Sequence, residues 1–357
     1  MLAHPDATFA VVYCRAGMEG DCAAELVELA AASGVPAWCR AGEGWVELVP
    51  TFAGGVVPLA HALRFEQLVF ARQWFAGLSR IEALPPGDRA TPLAMAIADH
   101  VEVHGGLRLE HPDTDTGRPL ARLCRSLAGP LGHALAEAGV HEAEGAPVLH
   151  VLFLPDGRAR IGLSDPANAS PWPLGIPRLK MPGAAPSRSV LKLEEAFTLF
   201  LSEPERHTWL RPGRNAVDLG AAPGGWTWLL LERGLSVEAV DNGPMAPAVA
   251  NHPRLAHRRA DGFLYRPRGP VDWLVCDMVE QPQRIARLAT VWLQRGDCRH
   301  AVVNLKLPMK RRWHVVRDNL ARVSDALPAE GRLAARQLYH DRDEVTVFAT
   351  RDTLGPI

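Results

Sequence analysis

The chain carries 357 residues, 47% of them apolar, and balances 39 Lys plus Arg against 40 Asp plus Glu for a formal net charge of −1. This is enough apolar material for two or three cores, and the balanced charge leaves no overall field to announce a nucleic-acid partner, so any such binding must come from local patches. No basic start followed by an apolar run and no apolar stretch of spanning length appear, which sets aside secretion and membrane insertion and makes the cytoplasm the expected compartment.

In chain order, Phe9–Tyr13 reads as a strand, Cys22–Ala30 as a helix and Gly44–Val49 as a strand, a small α+β unit assigned to residues 1–62. A second unit, 63–164, takes a strand over Leu68–Trp74, a helix at Leu93–Ala98, a helix near Leu120–Ala138, and strands over Val148–Phe153 and Ala159–Leu163. Six prolines between Asp165 and Ser189 are too many for a regular element, and residues 165–188 are assigned to a stiff linker. The cysteines Cys14, Cys22, Cys39, Cys124, Cys276 and Cys298 form no C-x-x-C pair and no ligand-like spacing, so neither a structural zinc site, a disulfide framework nor any other metal is expected.

Beyond the linker, over 189–357, strands alternate with helices: Ala216–Leu219, Ser236–Val240, Trp273–Cys276, Ala301–Leu307 and Glu344–Ala349. This is the pattern of an α/β doubly wound, Rossmann-like sheet. A strand over Ala334–Tyr339, with only Asp341–Asp343 before the next, predicts a closing antiparallel hairpin.

The densest signal is the turn from Asp218 to Trp226, where Gly220, Gly224 and Gly225 let the backbone approach a ligand between strand and helix. Gly220, Ala222 and Gly225 fit a G-x-G-x-x-G spacing with its middle glycine replaced, which a dehydrogenase would share. Asp218 and Pro223 make the turn resemble the first motif of S-adenosylmethionine-dependent methyltransferases instead. Ligands of open α/β sheets bind beyond the carboxyl ends of strands. There Asp241 is spaced to accept ribose hydroxyls, Asp261 could accept from an adenine amino group, and Asp277 ends a strand beside the reaction centre; singly, any of them could be a helix cap.

Of the 39 basic residues only Lys180, Lys192, Lys306 and Lys310 are lysine. Lys306 lies in an otherwise apolar strand, and burying an ammonium costs on the order of several kcal/mol unless it is paired or neutral. Desolvation and a second cation nearby would lower its pKa towards neutrality, where the amine can act as a general base. Cys276 precedes Asp277 but points to the other face of its strand, which suits packing. Trp313 among Lys310, Arg311 and Arg312 could stack a base, or could belong to a helix with a solvated basic face.

The stretch Ser187–Phe197, the turn at Asp218, Cys276-Asp277-Met278, Lys306 and Glu344-Val345-Thr346-Val347 together resemble the FtsJ-type ribose 2′-O-methyltransferases. The resemblance implies a catalytic tetrad of Lys192, Asp277, Lys306 and Glu344. It also implies S-adenosylmethionine as cofactor, held by Ser189, Gly220, Ala222, Pro223, Gly224, Gly225, Asp241, Asp261 and Asp277. Cys14–Glu19 and Phe70–Gln73 resemble ferredoxin-like and THUMP modules found in bacterial members that act on 23S ribosomal RNA. From these members comes the expected substrate, a cytidine ribose in the peptidyl-transferase region, met as naked RNA or an early precursor particle by a monomeric enzyme. A methyltransferase of transfer RNA, an NAD-dependent oxidoreductase and a non-catalytic RNA-binding module are the alternatives.

Overall fold

The computed structural model describes residues 4–352. The chain divides between Pro177 and Arg178, inside the expected linker, into two units. Among the described residues no helix is long and apolar enough to cross a membrane.

The first unit begins with β1 (Phe9–Tyr13), α1 (Glu19–Ala32), β2 (Ala37–Gly42), β3 (Trp45–Pro50), α2 (Val56–Ala62) and β4 (Gln73–Ile81). There follow α3 (Ala90–Ala98), β5 (Val103–His104), β6 (Leu107–Glu110), α4 (Ala121–Glu137), β7 (His141–Glu142), β8 (Val148–Phe153) and β9 (Ala159–Ser164). Its main sheet runs β2-β3-β1-β4-β9-β8-β6. The ferredoxin-like order β2-β3-β1-β4 is therefore completed by β4, beyond the expected boundary at 62/63, and the second module adds its strands to the free edge of β4.

The strand expected over Leu68–Trp74 starts at Gln73 instead. The fully buried Glu25 carboxylate on α1 takes the Val69 N–H at 2.5 Å and the Phe70 N–H at 2.9 Å, so these donors are satisfied by a side chain and need no ladder. β2 is absent from the sequence-based expectations; none of its residues is buried and the apolar Trp38 is exposed, so its sequence carries no clean alternation of apolar and polar residues to read. The first part of the proline-rich segment lies against this unit. Buried Asn168 donates to the Ala60 and Leu63 carbonyls and accepts from the Phe65 N–H, and Ser170 pairs with Gln73.

The second unit comprises α5 (Val190–Phe200), α6 (Glu203–Trp209), β10 (Asn215–Leu219), α7 (Gly225–Glu232), β11 (Ser236–Val240), α8 (Pro247–Ala250) and β12 (Leu255–Arg258). It continues with β13 (Val271–Cys276), α9 (Pro282–Arg295), β14 (Cys298–Lys306), α10 (Arg312–Ser324), β15 (Arg332–Arg336) and β16 (Glu344–Thr350). The sheet order is β12-β11-β10-β13-β14-β16-β15. The first five strands are parallel, and β16 runs antiparallel to both its neighbours. This is the Rossmann-like methyltransferase sheet that the alternation predicts, with helices α5 and α7 packed together and α9 packed on α10 and β14. The buried cluster includes Trp273, Leu193, Phe197, Leu230, Val302 and Phe348.

The closing hairpin forms, but β15 stops at Arg336 rather than at Tyr339. Beyond it the Leu338 N–H goes to Asp341 Oδ2 at 2.9 Å, and the Tyr339 and His340 N–H groups go to the buried Glu195 carboxylate on α5 at 2.8 and 3.1 Å. Side-chain acceptors thus end the strand.

Two tests follow from these buried acids. Glu25→Ala leaves two buried N–H donors unpaired and should destabilise the first unit by about 2–4 kcal/mol, seen as a lower urea midpoint for that unit with cofactor binding retained; an unchanged midpoint would contradict the assignment. Asp218, 2% exposed, accepts from Thr227 Oγ1 at 2.6 Å and so ties β10 to α7; burial pushes its carboxyl pKa from 3.8 to about 7. Because the folded form holds this proton more tightly than the unfolded chain does, its contribution is lost as pH rises from about 4 to about 7. Asp218→Asn, which keeps the acceptor for Thr227, should therefore melt higher than wild type at about pH 8 and show less advantage at about pH 5.

Candidate active site

The carboxyl ends of the parallel strands gather the glycine turn, the three acids and the lysines. Gly224 opens α7 at φ 110°, a conformation that side chains rarely adopt, and a Cβ there would lie 2.8 Å from Val249 Cγ2. A Cβ on Gly225 would lie 2.3 Å from Ser189 Oγ, so the bare backbone is what lets the start of α5 meet the turn. Ser189 is held there by its carbonyl, which accepts from Trp226 Nε1 at 2.9 Å. Gly220 donates its N–H to the Val240 carbonyl at 2.9 Å, joining the turn to the end of β11, and Ala222 and Pro223 lie partly or fully open beyond it. The result is an open backbone cradle between β10 and α7, of the kind a nucleoside cofactor needs.

Asp241 stands where the sequence puts it, at the end of β11, and both its oxygens are engaged: Oδ2 by the Ala222 N–H at 3.0 Å and Oδ1 by the Gly243 N–H at 2.7 Å. It therefore shapes the turn itself, with lone pairs left on each oxygen for ribose hydroxyls. Asp261 is exposed and accepts from the Phe263 N–H at 2.8 Å, a local turn cap. Asp218 lies behind the turn, bonded to Thr227, and does not face the cradle's open side.

The four residues of the expected tetrad come from four separate elements and meet in one cluster. Lys306 Nζ at the end of β14 lies 2.5 Å from Asp277 Oδ1 and also bonds Glu344 Oε2; Lys192 Nζ on α5 lies 3.4 Å from Asp277 Oδ2 and pairs with Glu344 Oε1. Each carboxylate thus bridges both ammonium groups. The side chains are 7–22% exposed, so the cluster is largely sheltered while keeping a face open to solvent.

Electrostatics correct one expectation. Burial pulls the Lys306 pKa down, as anticipated, but the charge of Asp277 and the hydrogen bonds that Lys306 donates to Asp277 and Glu344 outweigh it, leaving the ammonium held above its ordinary 10.5. Glu344 moves the complementary way: burial raises its pKa, and the bonds from Lys192 and Lys306 more than reverse this. Cys276 is fully buried, its thiol pushed up to about 12 by burial, so it packs and cannot be a nucleophile. Trp313, only 5% exposed, belongs to the buried face of α10 with Val316 and Val323, which closes the base-stacking alternative and leaves the helix.

Three supporting residues have no role in the sequence-based expectations. Asn304 Nδ2 donates to Asp277 Oδ1 at 2.8 Å, Thr346 Oγ1 lies 2.7 Å from Asn304 Oδ1, and Asp341 lies beside Thr346. The signal was present for Asn304: it is a polar residue two positions before Lys306 in an apolar strand, hence on the same face. Asp341 sits in the loop of the expected hairpin, but no local pattern announces that its side chain turns inward to Thr346.

Three family models match the chain: the RlmM ferredoxin-like domain at residues 8–75, the N-terminal model of ribosomal RNA large subunit methyltransferase M at 88–165, and the FtsJ-like methyltransferase at 185–295. Among curated relatives, the ribosomal RNA large subunit methyltransferase M of Thauera aminoaromatica is 46% identical, covering 95% of this chain and 94% of that one. The same-named proteins of Edwardsiella ictaluri and Alkalilimnicola ehrlichii are 45% and 47% identical, over 95% and 98% of this chain and 93% and 96% of theirs. The match to an FtsJ-like methyltransferase makes S-adenosylmethionine the cofactor and sets the nicotinamide alternative aside. With similarity of this extent along both units, the chain belongs to the ribosomal RNA large subunit methyltransferase M family.

Proposed function

We propose that the enzyme methylates the ribose 2′-hydroxyl of a cytidine in the peptidyl-transferase region of 23S ribosomal RNA, with Lys306 as general base. The observation that carries the reading is the cluster in which Asp277 and Glu344 each hold both Lys192 and Lys306. The relatives' names, which specify the large-subunit ribosomal RNA, favour it over transfer RNA.

S-adenosylmethionine supplies an electrophilic methyl group. The backbone at Gly220, Ala222, Pro223, Gly224 and Gly225 would cradle it, Asp241 would take its ribose hydroxyls, Asp261 its adenine amino group, and Ser189 with Asp277 its amino-acid end. Lys192 holds the incoming hydroxyl or a neighbouring phosphate. Lys306 Nζ, having first lost its own proton to solvent, would as a neutral amine take the proton of the 2′-hydroxyl while that oxygen attacks the methyl carbon and the sulfonium leaves as a thioether; Asp277 and Glu344 would stabilise the ammonium that results. Positioning does much of the work, since a hydroxyl already aligned avoids the entropy of a bimolecular encounter. The first unit is assigned RNA grip, with a THUMP-like role for its second module.

Lys306→Ala should lower methyl transfer by about 10²–10⁴-fold while S-adenosylmethionine still binds, as read by turnover assay and calorimetry on one preparation. Normal turnover would sink the base assignment, and methylation of transfer RNA rather than large-subunit RNA would sink the substrate. Because the free enzyme holds Lys306 protonated, kcat/KM should climb with pH through the neutral and alkaline range, about tenfold per pH unit at most. A flat profile would show that some other group takes the proton.

A further inference from the structure

Behind the tetrad, Asp341, Thr346, Asn304 and Asp277 form a row of side-chain contacts. Thr346 Oγ1 lies 3.2 and 3.0 Å from Asp341 Oδ1 and Oδ2 and 2.7 Å from Asn304 Oδ1, and Asn304 Nδ2 lies 2.8 Å from Asp277 Oδ1. Asn304 and Thr346 are fully buried and Asp341 is 1% exposed, so bulk solvent does not reach these bonds. Asn304 and Thr346 are also opposite each other in the β14–β16 register, as Lys306 and Glu344 are, which puts all four side chains on one face of adjacent strands.

Counting hydrogens fixes the direction of the row. Ionised Asp277 accepts only, so Asn304 must present its NH₂ there and its carbonyl to Thr346. The single hydroxyl hydrogen of Thr346 must then go to Asn304, which leaves the Thr346 oxygen to accept from Asp341. Asp341 can donate only as the neutral acid, through Oδ1, since Oδ2 accepts the Leu338 N–H. If Asp341 were ionised, Thr346 would donate to it, Asn304 would turn over, and an amide carbonyl would face the Asp277 carboxylate.

We propose that Asp341, Thr346 and Asn304 are positioning residues, a one-way hydrogen-bond chain that keeps an amide N–H aimed at Asp277. The chain thereby sets the orientation of that carboxylate and how firmly it holds the Lys306 proton. The surroundings agree: burial first, then the charge of Glu344, pushes the Asp341 carboxyl well up, against the Leu338 N–H and Lys192, with Glu195 from α5 adding to the rise. Asp277 itself is faced by Lys306, Lys192 and Asn304. The amide bond disperses the Asp277 charge, so its loss leaves Lys306 more firmly protonated and less able to act as base. The inference rests on Lys306 being that base.

The test compares kcat/KM against pH, S-adenosylmethionine affinity and melting temperature across variants. Thr346→Val and Asn304→Ala should lose on the order of tenfold in kcat and shift the rise in kcat/KM to higher pH, with cofactor affinity kept. Thr346→Ser and Asp341→Asn, which retain each donor, should recover the wild-type profile within about threefold. A wild-type profile in Thr346→Val overturns the chain, and so does an Asp341→Asn variant that loses on the order of tenfold in kcat against wild type; the latter outcome decides the matter even if the harsher variants fail to fold. Lys306→Ala is run alongside. Turnover by that variant brings down the base assignment, whereas a dead Lys306→Ala with an unaffected Thr346→Val brings down the chain alone.

Discussion

The double bridge of Asp277 and Glu344 across Lys192 and Lys306 is the constraint on which the second unit depends. Four charges taken largely out of water each cost on the order of several kcal/mol, and only close pairing with additional hydrogen bonds offsets that. No single element supplies the pairing. α5 brings Lys192, the end of β13 leads to Asp277, β14 ends on Lys306 and β16 begins at Glu344, so the cluster exists only when helix, parallel sheet and antiparallel strand are all in place. Helix α5 is tied in twice, since Glu195, one turn after Lys192, captures the loop between β15 and β16.

The direction of β16 then has a chemical meaning. Reactive groups of a parallel sheet collect beyond the carboxyl ends of its strands. A strand that runs antiparallel puts its amino end there instead, and the first residue of β16, Glu344, is in register with the last of β14, Lys306. A strand in the parallel direction would have put the opposite end of its sequence at the site. The methyltransferase sheet thus gains an acid next to its lysine through strand direction, with no added loop.

Much of this was legible in the sequence because it depended on residue type at a strand end. A lysine inside Val302-Val303-Asn304-Leu305-Lys306 contradicts its surroundings, and that contradiction is the signal. The doubly wound alternation and the closing hairpin were legible for the same reason, through period and turn residues. What failed was set by distant partners. The strand at Leu68 gives way to a segment whose N–H groups Glu25 satisfies from more than forty residues away, and β15 is cut short by Glu195 on another element. The Lys306 pKa went the other way because the balance between burial and the charges of Asp277 and Glu344 depends on distances that no sequence pattern carries.

A buried cluster of balanced charges is weak evidence of stability, since well-packed apolar residues of similar volume often replace such a cluster without loss. On the proposed reading, its presence here is explained by what an ammonium does that an apolar side chain cannot: give up and take back a proton at one fixed position. The geometry separates the two demands. Glu344 and Asp277 meet the lysines where the cluster is partly exposed, while the fully buried Asn304 and Thr346 bond Asp277 from behind, away from solvent. Buried hydrogen bonds sit behind the cluster and exposure in front of it, so the same carboxylate is tied to the strands without being closed off from solvent.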